Sequence, residues 1–234
     1  MKAAVVKSIL KDPRYREMPV IGKGATSLVF ARDDGRVEIV TRDPVKVDYL
    51  TNSQYADDDY ETIDVSGHSR TPAFDEFPVY SIVMDRLLPA KATPESRKMC
   101  NDIYKKFLEI RGQVHAECGS RPSYSKLTYE QRMDVMNNDI MCALSELEEP
   151  EFEPLRTMAD HIGSYWSGDT YNFDISPRNM LYDPETKKIF INDPVVDKKL
   201  VHVCHCGITR EQKRKQANSR IQIVDRPAYS PFMR

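Results

Sequence analysis

The stretch from Asp174 to Pro194 constrains this chain more than any other. It begins Asp174-Ile175-Ser176-Pro177-Arg178-Asn179 and continues into an apolar strand, Met180 to Tyr182. A turn at Asp183-Pro184-Glu185-Thr186 leads to a second apolar strand, Ile189-Phe190-Ile191, which ends at Asn192-Asp193-Pro194. One Asp, an Asn five residues on, a hairpin and another Asp is the layout of a phosphoryl-transfer site. Such a transfer needs a base or orienter at the acceptor hydroxyl and oxygen ligands for Mg²⁺. The short loop supplies the first Asp and the Asn, and the hairpin carries the second Asp back beside them. Asp and Asn also form ordinary Asx-turns, so the segment needs a second signal.

That signal lies near the N-terminus. Ile21-Gly22-Lys23-Gly24-Ala25-Thr26-Ser27-Leu28-Val29-Phe30 reads as G-x-G-x-x-S-x-V. Glycines allow a strand-turn-strand flap to approach phosphates closely, because no Cβ intervenes. A lone Gly-x-Gly is as often a plain hairpin. Here it is followed by a strand, a long helical stretch and then the Asp/Asn loop, which is the protein-kinase order.

On these motifs the chain resembles a small protein-kinase-like fold, most nearly the early serine/threonine kinases of podovirus-type bacteriophages. The resemblance spans roughly residues 18–197 and rests on Phe173-Asp174…Asn179-Met180 and Ile191-Asn192-Asp193-Pro194-Val195. It implies an α+β bilobal fold, with a β-rich N-lobe over residues 1–88 and a helical C-lobe over 89–197, followed by a tail at 198–234. It also implies ATP and Mg²⁺ as cofactors. Asp174 is the implied catalytic residue, and Asn179 and Asp193 the implied Mg²⁺ ligands. Gly22, Lys23, Gly24 and Ser27 would form the phosphate flap, Val29 would roof the adenine, and Met84 would back the adenine pocket. The backbone of Asp85 to Leu87 would bond the adenine edge. The implied activity is phosphoryl transfer to Ser/Thr of host bacterial proteins in the cytoplasm. A pseudokinase that works by binding a host protein, and a small-molecule phosphotransferase, are the alternatives.

The departures from the kinase pattern are specific. Asn172-Phe173-Asp174 replaces His-Arg-Asp, which removes the partner of a phosphorylated activation loop. Ser176 stands where a Lys is usual, and Asp193-Pro194-Val195 replaces Asp-Phe-Gly. Only 41 residues follow Asp193, which implies truncated C-terminal helices. In the third strand, Val37-Glu38-Ile39-Val40, the phosphate-holding Lys is replaced by Val40. Arg42, then Lys23, then Lys46 are the candidate substitutes. The expected helix over 44–56 contains no Glu, in keeping with the missing Lys.

Elsewhere, local signals place the elements. A short helix is expected over 2–11, and three strands over 18–42 with a turn at Asp33-Asp34-Gly35. Asp57 through Pro78 reads as an exposed acidic loop, and Val79–Met84 as a buried strand. Thr93-Pro94 starts a helix that Gly119 can close, with Cys100, Ile103, Tyr104, Phe107, Leu108 and Val114 as its stripe. Thr128 and Gln131 make a capping box for a second helix, and a third is expected over 152–166. Apolar residues are 40% and charged ones 30% of the 234, the balance of a soluble domain, and no apolar run is long enough for a membrane span. The first seven residues are too short in their apolar part for a signal peptide, and five scattered cysteines suit a reducing compartment. The tail holds nine Lys/Arg against two Asp/Glu, a charge of +7 on a body of −9. Glu211 to Lys215 could lie along nucleic acid or an acidic protein. His202, Cys204, His205 and Cys206 form a single cluster, whereas zinc sites usually use two separated ligand pairs.

Overall fold

The computed structural model describes residues 3–24, 26–63, 78–165, 171–198 and 200. The basic run at Lys213–Lys215 and the His202–Cys206 cluster lie outside the described residues, as do Ala25 of the glycine turn and Trp166.

The first half builds a five-stranded antiparallel sheet. Helix α1 (Ala3–Ile9) precedes β1 (Val20–Lys23), β2 (Ser27–Ala31) and β3 (Val37–Thr41). Helix α2 (Pro44–Thr51) then leads to β4 (Glu61–Ile63) and β5 (Val79–Met84). The strand order is β1-β2-β3-β5-β4. The β2–β3 turn reverses at Gly35, whose φ of 85° is costly for residues with a Cβ. The expected acidic loop is in part a strand. Asp57 pairs with Arg36, and β4 adds to the sheet edge beside β5. Three residues are too few for a strand period to stand out in the sequence.

The pleat divides the sheet into two faces. Val37 and Ile39 of β3 join Ile82 and Met84 of β5 and Val45, Val47 and Leu50 of α2 in the main core. Leu28, Phe30 and Val40 face the other way, under Ile9 and Tyr15, in a second cluster that also takes in Val79 and Leu200. Helix α2 therefore covers the inner face, and the N-terminal segment covers the outer one.

Three helices follow: α3 (Pro94–Ser120), α4 (Tyr129–Ser145) and α5 (Glu153–Tyr165). Thr93 caps α3 reciprocally with Ser96, and Thr128 caps α4 reciprocally with Gln131. Ile103, Phe107, Met136, Ile140, Leu144, Leu155, Met158 and Ile162 bury their stripes in the main core, while Leu108 is 43% exposed and lies off that face. No helix among the described residues is long and apolar enough to cross a membrane. The chain is thus α+β, with a β-rich N-terminal region and a helical middle.

Short strands complete the fold. β6 (Leu88–Pro89) edges the hairpin of β8 (Met180–Asp183) and β9 (Lys188–Ile191), while β7 (Tyr171–Phe173) pairs with β10 (Val195–Asp197). The β7–β10 ladder pairs Phe173 with Val195, so Asp174 and Asp193 leave it side by side at one end.

Candidate active site

The loop Pro177–Asn179 is a single 3₁₀ turn between β7 and β8. Its geometry is fixed by backbone bonds at both ends. The Asp174 N–H donates to the Pro194 carbonyl at 2.8 Å, and the Asn192 N–H donates to the Asn179 carbonyl at 2.8 Å. The Asn179 side chain then ties the two acids together: its Nδ2 donates to the backbone carbonyl of Asp174 at 2.5 Å and to that of Asp193 at 3.2 Å. With the nitrogen committed to these carbonyls, Oδ1 is the end of the amide turned away from them. Asp174, Asn179 and Asp193 are thus brought together as the sequence spacing requires.

A cation meets this group from α2. The Lys46 ammonium lies 3.1 Å from Asp193 Oδ2, and the Lys46 residue is 4% exposed. Its placement follows from local sequence. Asp43 adopts an extended conformation, Pro44 occupies the first turn, and Asp43 Oδ1 accepts the N–H groups of Val45 at 3.1 Å and Lys46 at 3.3 Å. Lys46 therefore belongs to the first turn of a helix whose other residues anchor it to the core. Of the three substitutes expected from sequence, Lys46 is the one whose ammonium reaches the acids. Lys23 is exposed at the end of β1, and Arg42 is buried one residue beyond β3.

The pleat also corrects the reading of β3. Val40 pairs with Leu28 and lies on the outer face, away from α2 and the acids. The inner-face residue at that end is Thr41, opposite Ser27. The Ser27 hydroxyl donates to Thr41 Oγ1 at 2.8 Å, and the same oxygen accepts the Asp43 N–H at 3.2 Å. Ser27, expected in the phosphate flap, is engaged inside the sheet, and the chain of bonds runs from β2 to the cap of α2.

The remaining expected positions divide. Val29 sits on the inner face opposite Ile39. A Cβ at Gly22 would lie 3.2 Å from Val29 Cβ and Cγ2, so this glycine makes room for Val29; a Cβ at Gly24 would meet nothing closer than 3.9 Å. Met84 is buried in the core and pairs with Val37. The Asp85 N–H donates to the Tyr55 carbonyl at 2.7 Å, so that group is already taken and does not reach toward an adenine edge. Leu87 packs against the main core.

Burial and charge set the protonation of the acids. Partial desolvation raises the pKa of Asp174, an otherwise exposed residue, and the charge of Asp193 raises it further, while the Asn179 bond, Arg178 and Lys46 oppose the rise. Burial pushes Asp43 up to about 7, with Asp193 and Asp197 adding to the rise and Lys46 opposing it. Asp43 is the residue that sequence reasoning missed. The dipeptide Asp43-Pro44, a cap followed by the first helical residue, was the signal for it. The oxygen donors suit a hard cation: one carboxylate from Asp193 and one amide oxygen from Asn179, on loop ends whose backbones are hydrogen-bonded together. No protein-family profile matches the chain, and neither does any curated protein or solved structure.

Proposed function

We propose that this chain is a bilobal, kinase-like phosphotransferase that uses Mg²⁺-ATP, acting in the cytoplasm on Ser/Thr hydroxyls of host proteins. The observation that carries the reading is the Asn179 amide bonded to the backbones of both Asp174 and Asp193, with Lys46 against Asp193. The element order supports it: a five-stranded sheet with α2 between β3 and β4, then helices, then the Asp/Asn loop and its hairpin.

In this reading Asp193 and Asn179 hold the metal. A Mg²⁺ held there would supply positive charge that offsets the charge of the ATP phosphates. Asp174 orients the acceptor hydroxyl and accepts its proton as the hydroxyl oxygen bonds to the γ-phosphorus and the bond to the leaving oxygen breaks. Its backbone bond to Pro194 holds that carboxylate in register with Asp193. Lys46 supplies the positive charge that the sequence lacks in β3.

A second reading, binding without transfer, draws on the Asp85 amide already bonded to Tyr55 and on Thr41 at the inner-face position of β3. One experiment separates the two. The purified chain is incubated with labelled ATP, alone and with a bacterial lysate, beside Asp174→Asn. Transfer by the wild type, cut by about 10² or more in the variant, is the expected result. Equal labelling by both proteins refutes the role of Asp174. No labelling at all by the wild type leaves the binding-only reading standing.

A further inference from the structure

Asp43 and Lys46 have properties that the transfer chemistry alone does not use. Asp43 is 1% exposed, and its Oδ2 is buried with no hydrogen-bond partner among the described residues. A buried acceptor left without a donor is costly, and native structures contain few of them. The Oδ1 of the same carboxylate is fully occupied, capping α2 through the N–H groups of Val45 and Lys46. The side chain is therefore pinned, with its second oxygen held ready.

Three residues on, Lys46 contacts the very carboxylate that the metal would need. An ammonium and a divalent cation held on one carboxylate repel each other. Mg²⁺ on that carboxylate therefore competes with Lys46 for Asp193. The lysine stem is a flexible four-carbon chain, while its backbone stays fixed by the Asp43 cap. The unpartnered oxygen of Asp43 belongs to the same turn. The charges of Lys46 and Asp193 both act on the Asp43 carboxyl, and Asp43 and Lys46 are both buried.

We propose that Lys46 is a two-position cation: it rests on Asp193 when no nucleotide is bound, and it lies between Asp43 Oδ2 and the nucleotide phosphates when Mg²⁺-ATP is bound. The proposal rests on the phosphoryl-transfer reading. It replaces a strand lysine paired with a helix acid by the reverse arrangement, an acid at the end of β3 and a lysine on α2. In the first position, Lys46 neutralises Asp193 and holds off free metal. In the second, it gives Asp43 the donor it lacks. Differential stabilisation of the loaded state makes metal and nucleotide bind together rather than separately.

The test is calorimetry of the full chain with Mg²⁺ alone and with Mg²⁺ plus a non-hydrolysable ATP analogue. Wild type is compared with Lys46→Met, Asp43→Asn and the double variant, each checked for its helical circular dichroism. Asn caps a helix about as well as Asp, so Asp43→Asn keeps α2. Lys46→Met should bind Mg²⁺ alone more tightly and the Mg²⁺-analogue complex about tenfold or more weakly. Asp43→Asn should leave the affinity for Mg²⁺ alone unchanged yet weaken the analogue complex, and the double variant should be no worse than Lys46→Met alone. If the wild type binds the analogue complex and Lys46→Met leaves both affinities as they were, the two-position role is overturned while the transfer reading stands. Fully additive losses in the double variant would overturn the Asp43–Lys46 partnership. A wild type that binds no Mg²⁺-analogue complex overturns the transfer reading, and this pair with it.

Discussion

At the scale of single residues, Asn179 decides whether the site exists, because one amide group fixes two loop ends. Asn179→Asp would put a carboxylate against the carbonyls of Asp174 and Asp193, where a donor now stands. Mg²⁺-nucleotide affinity should fall in that variant even though the number of acidic groups rises. Unchanged affinity by calorimetry would show that the amide does not organise the metal ligands. Asp193→Asn, which removes a full charge from the expected first shell, should lose Mg²⁺-dependent binding outright, and normal turnover in it would refute the assignment. Asp43 carries a pH signature. An unfolded Asp titrates near 3.9, roughly, and burial holds this one at about 7. The folded state binds the proton more tightly, so the contribution to stability is full below the unfolded value and is lost as pH rises toward 7. Asp43→Asn, neutral throughout and a good cap, should therefore melt higher than the wild type at pH 8, and the gap should narrow toward pH 5. A gap that is the same at both pH values would mean that Asp43 is not held protonated by burial.

At the scale of elements, β3 shows what the sequence made legible and what it did not. The strand itself, its turn at Gly35, and the N-terminal caps of α3 and α4 were readable because each depends on neighbours a few residues apart, whereas α3 runs past Gly119 to Ser120. Which way β3 faces was not, since parity is set by pairing with β2 and β5 across the sheet. Sequence order alone therefore puts Val40 at the lysine position, whereas the pairing puts Thr41 on the inner face. The Asp174–Asn179–Asp193 group was readable because a tight loop and a hairpin bring it together locally. The arrival of Lys46 was not, because it depends on how α2 packs over the inner face. The three-residue strands β4, β7 and β10 were too short to carry a period. The outer face of β3 makes its own prediction. Glu38 is 1% exposed and accepts from the Tyr15 hydroxyl at 2.7 Å and from the Ser81 hydroxyl, with Arg14 at 2.9 Å and Arg32 at 3.1 Å. Removing Glu38 leaves the buried hydroxyls of Tyr15 and Ser81 without their acceptor, at a cost of about 1–3 kcal/mol for each group left unsatisfied. Glu38→Ala should lower the urea midpoint accordingly, while Lys98→Ala, which breaks a pair exposed to solvent, should barely move it. Equal midpoints for Glu38→Ala and the wild type would show that the outer-face network contributes nothing.

At the scale of the whole molecule, one hydrophobic core runs through both halves. Val37, Ile39 and Ile82 of the sheet, Leu50 of α2, Phe107 of α3, Leu144 of α4, Ile162 of α5 and Ile191 of β9 belong to the same cluster. A division near residue 88 therefore separates two shapes but not two cores. Thermal unfolding should be a single transition, with near- and far-ultraviolet circular dichroism changing together. Fragments cut at that division should fail to fold alone, and a fragment 1–88 with a cooperative melt would contradict a shared core.

The second cluster, on the outer face of the sheet, has a consequence for synthesis. Ile9 and Tyr15 near the start of the chain meet Leu200 near its far end, where Asp197 Oδ1 accepts the Leu200 N–H at 2.8 Å. A ribosome delivers the sheet long before it delivers the residue that closes it. Until then, the patch formed by Leu28, Phe30, Val40 and Val79 lacks part of its cover. Stalled nascent chains that stop short of residue 200 should stay open to protease, and chains a few tens of residues longer should become resistant, so vectorial synthesis holds back the first-made element until the last part of its cover arrives.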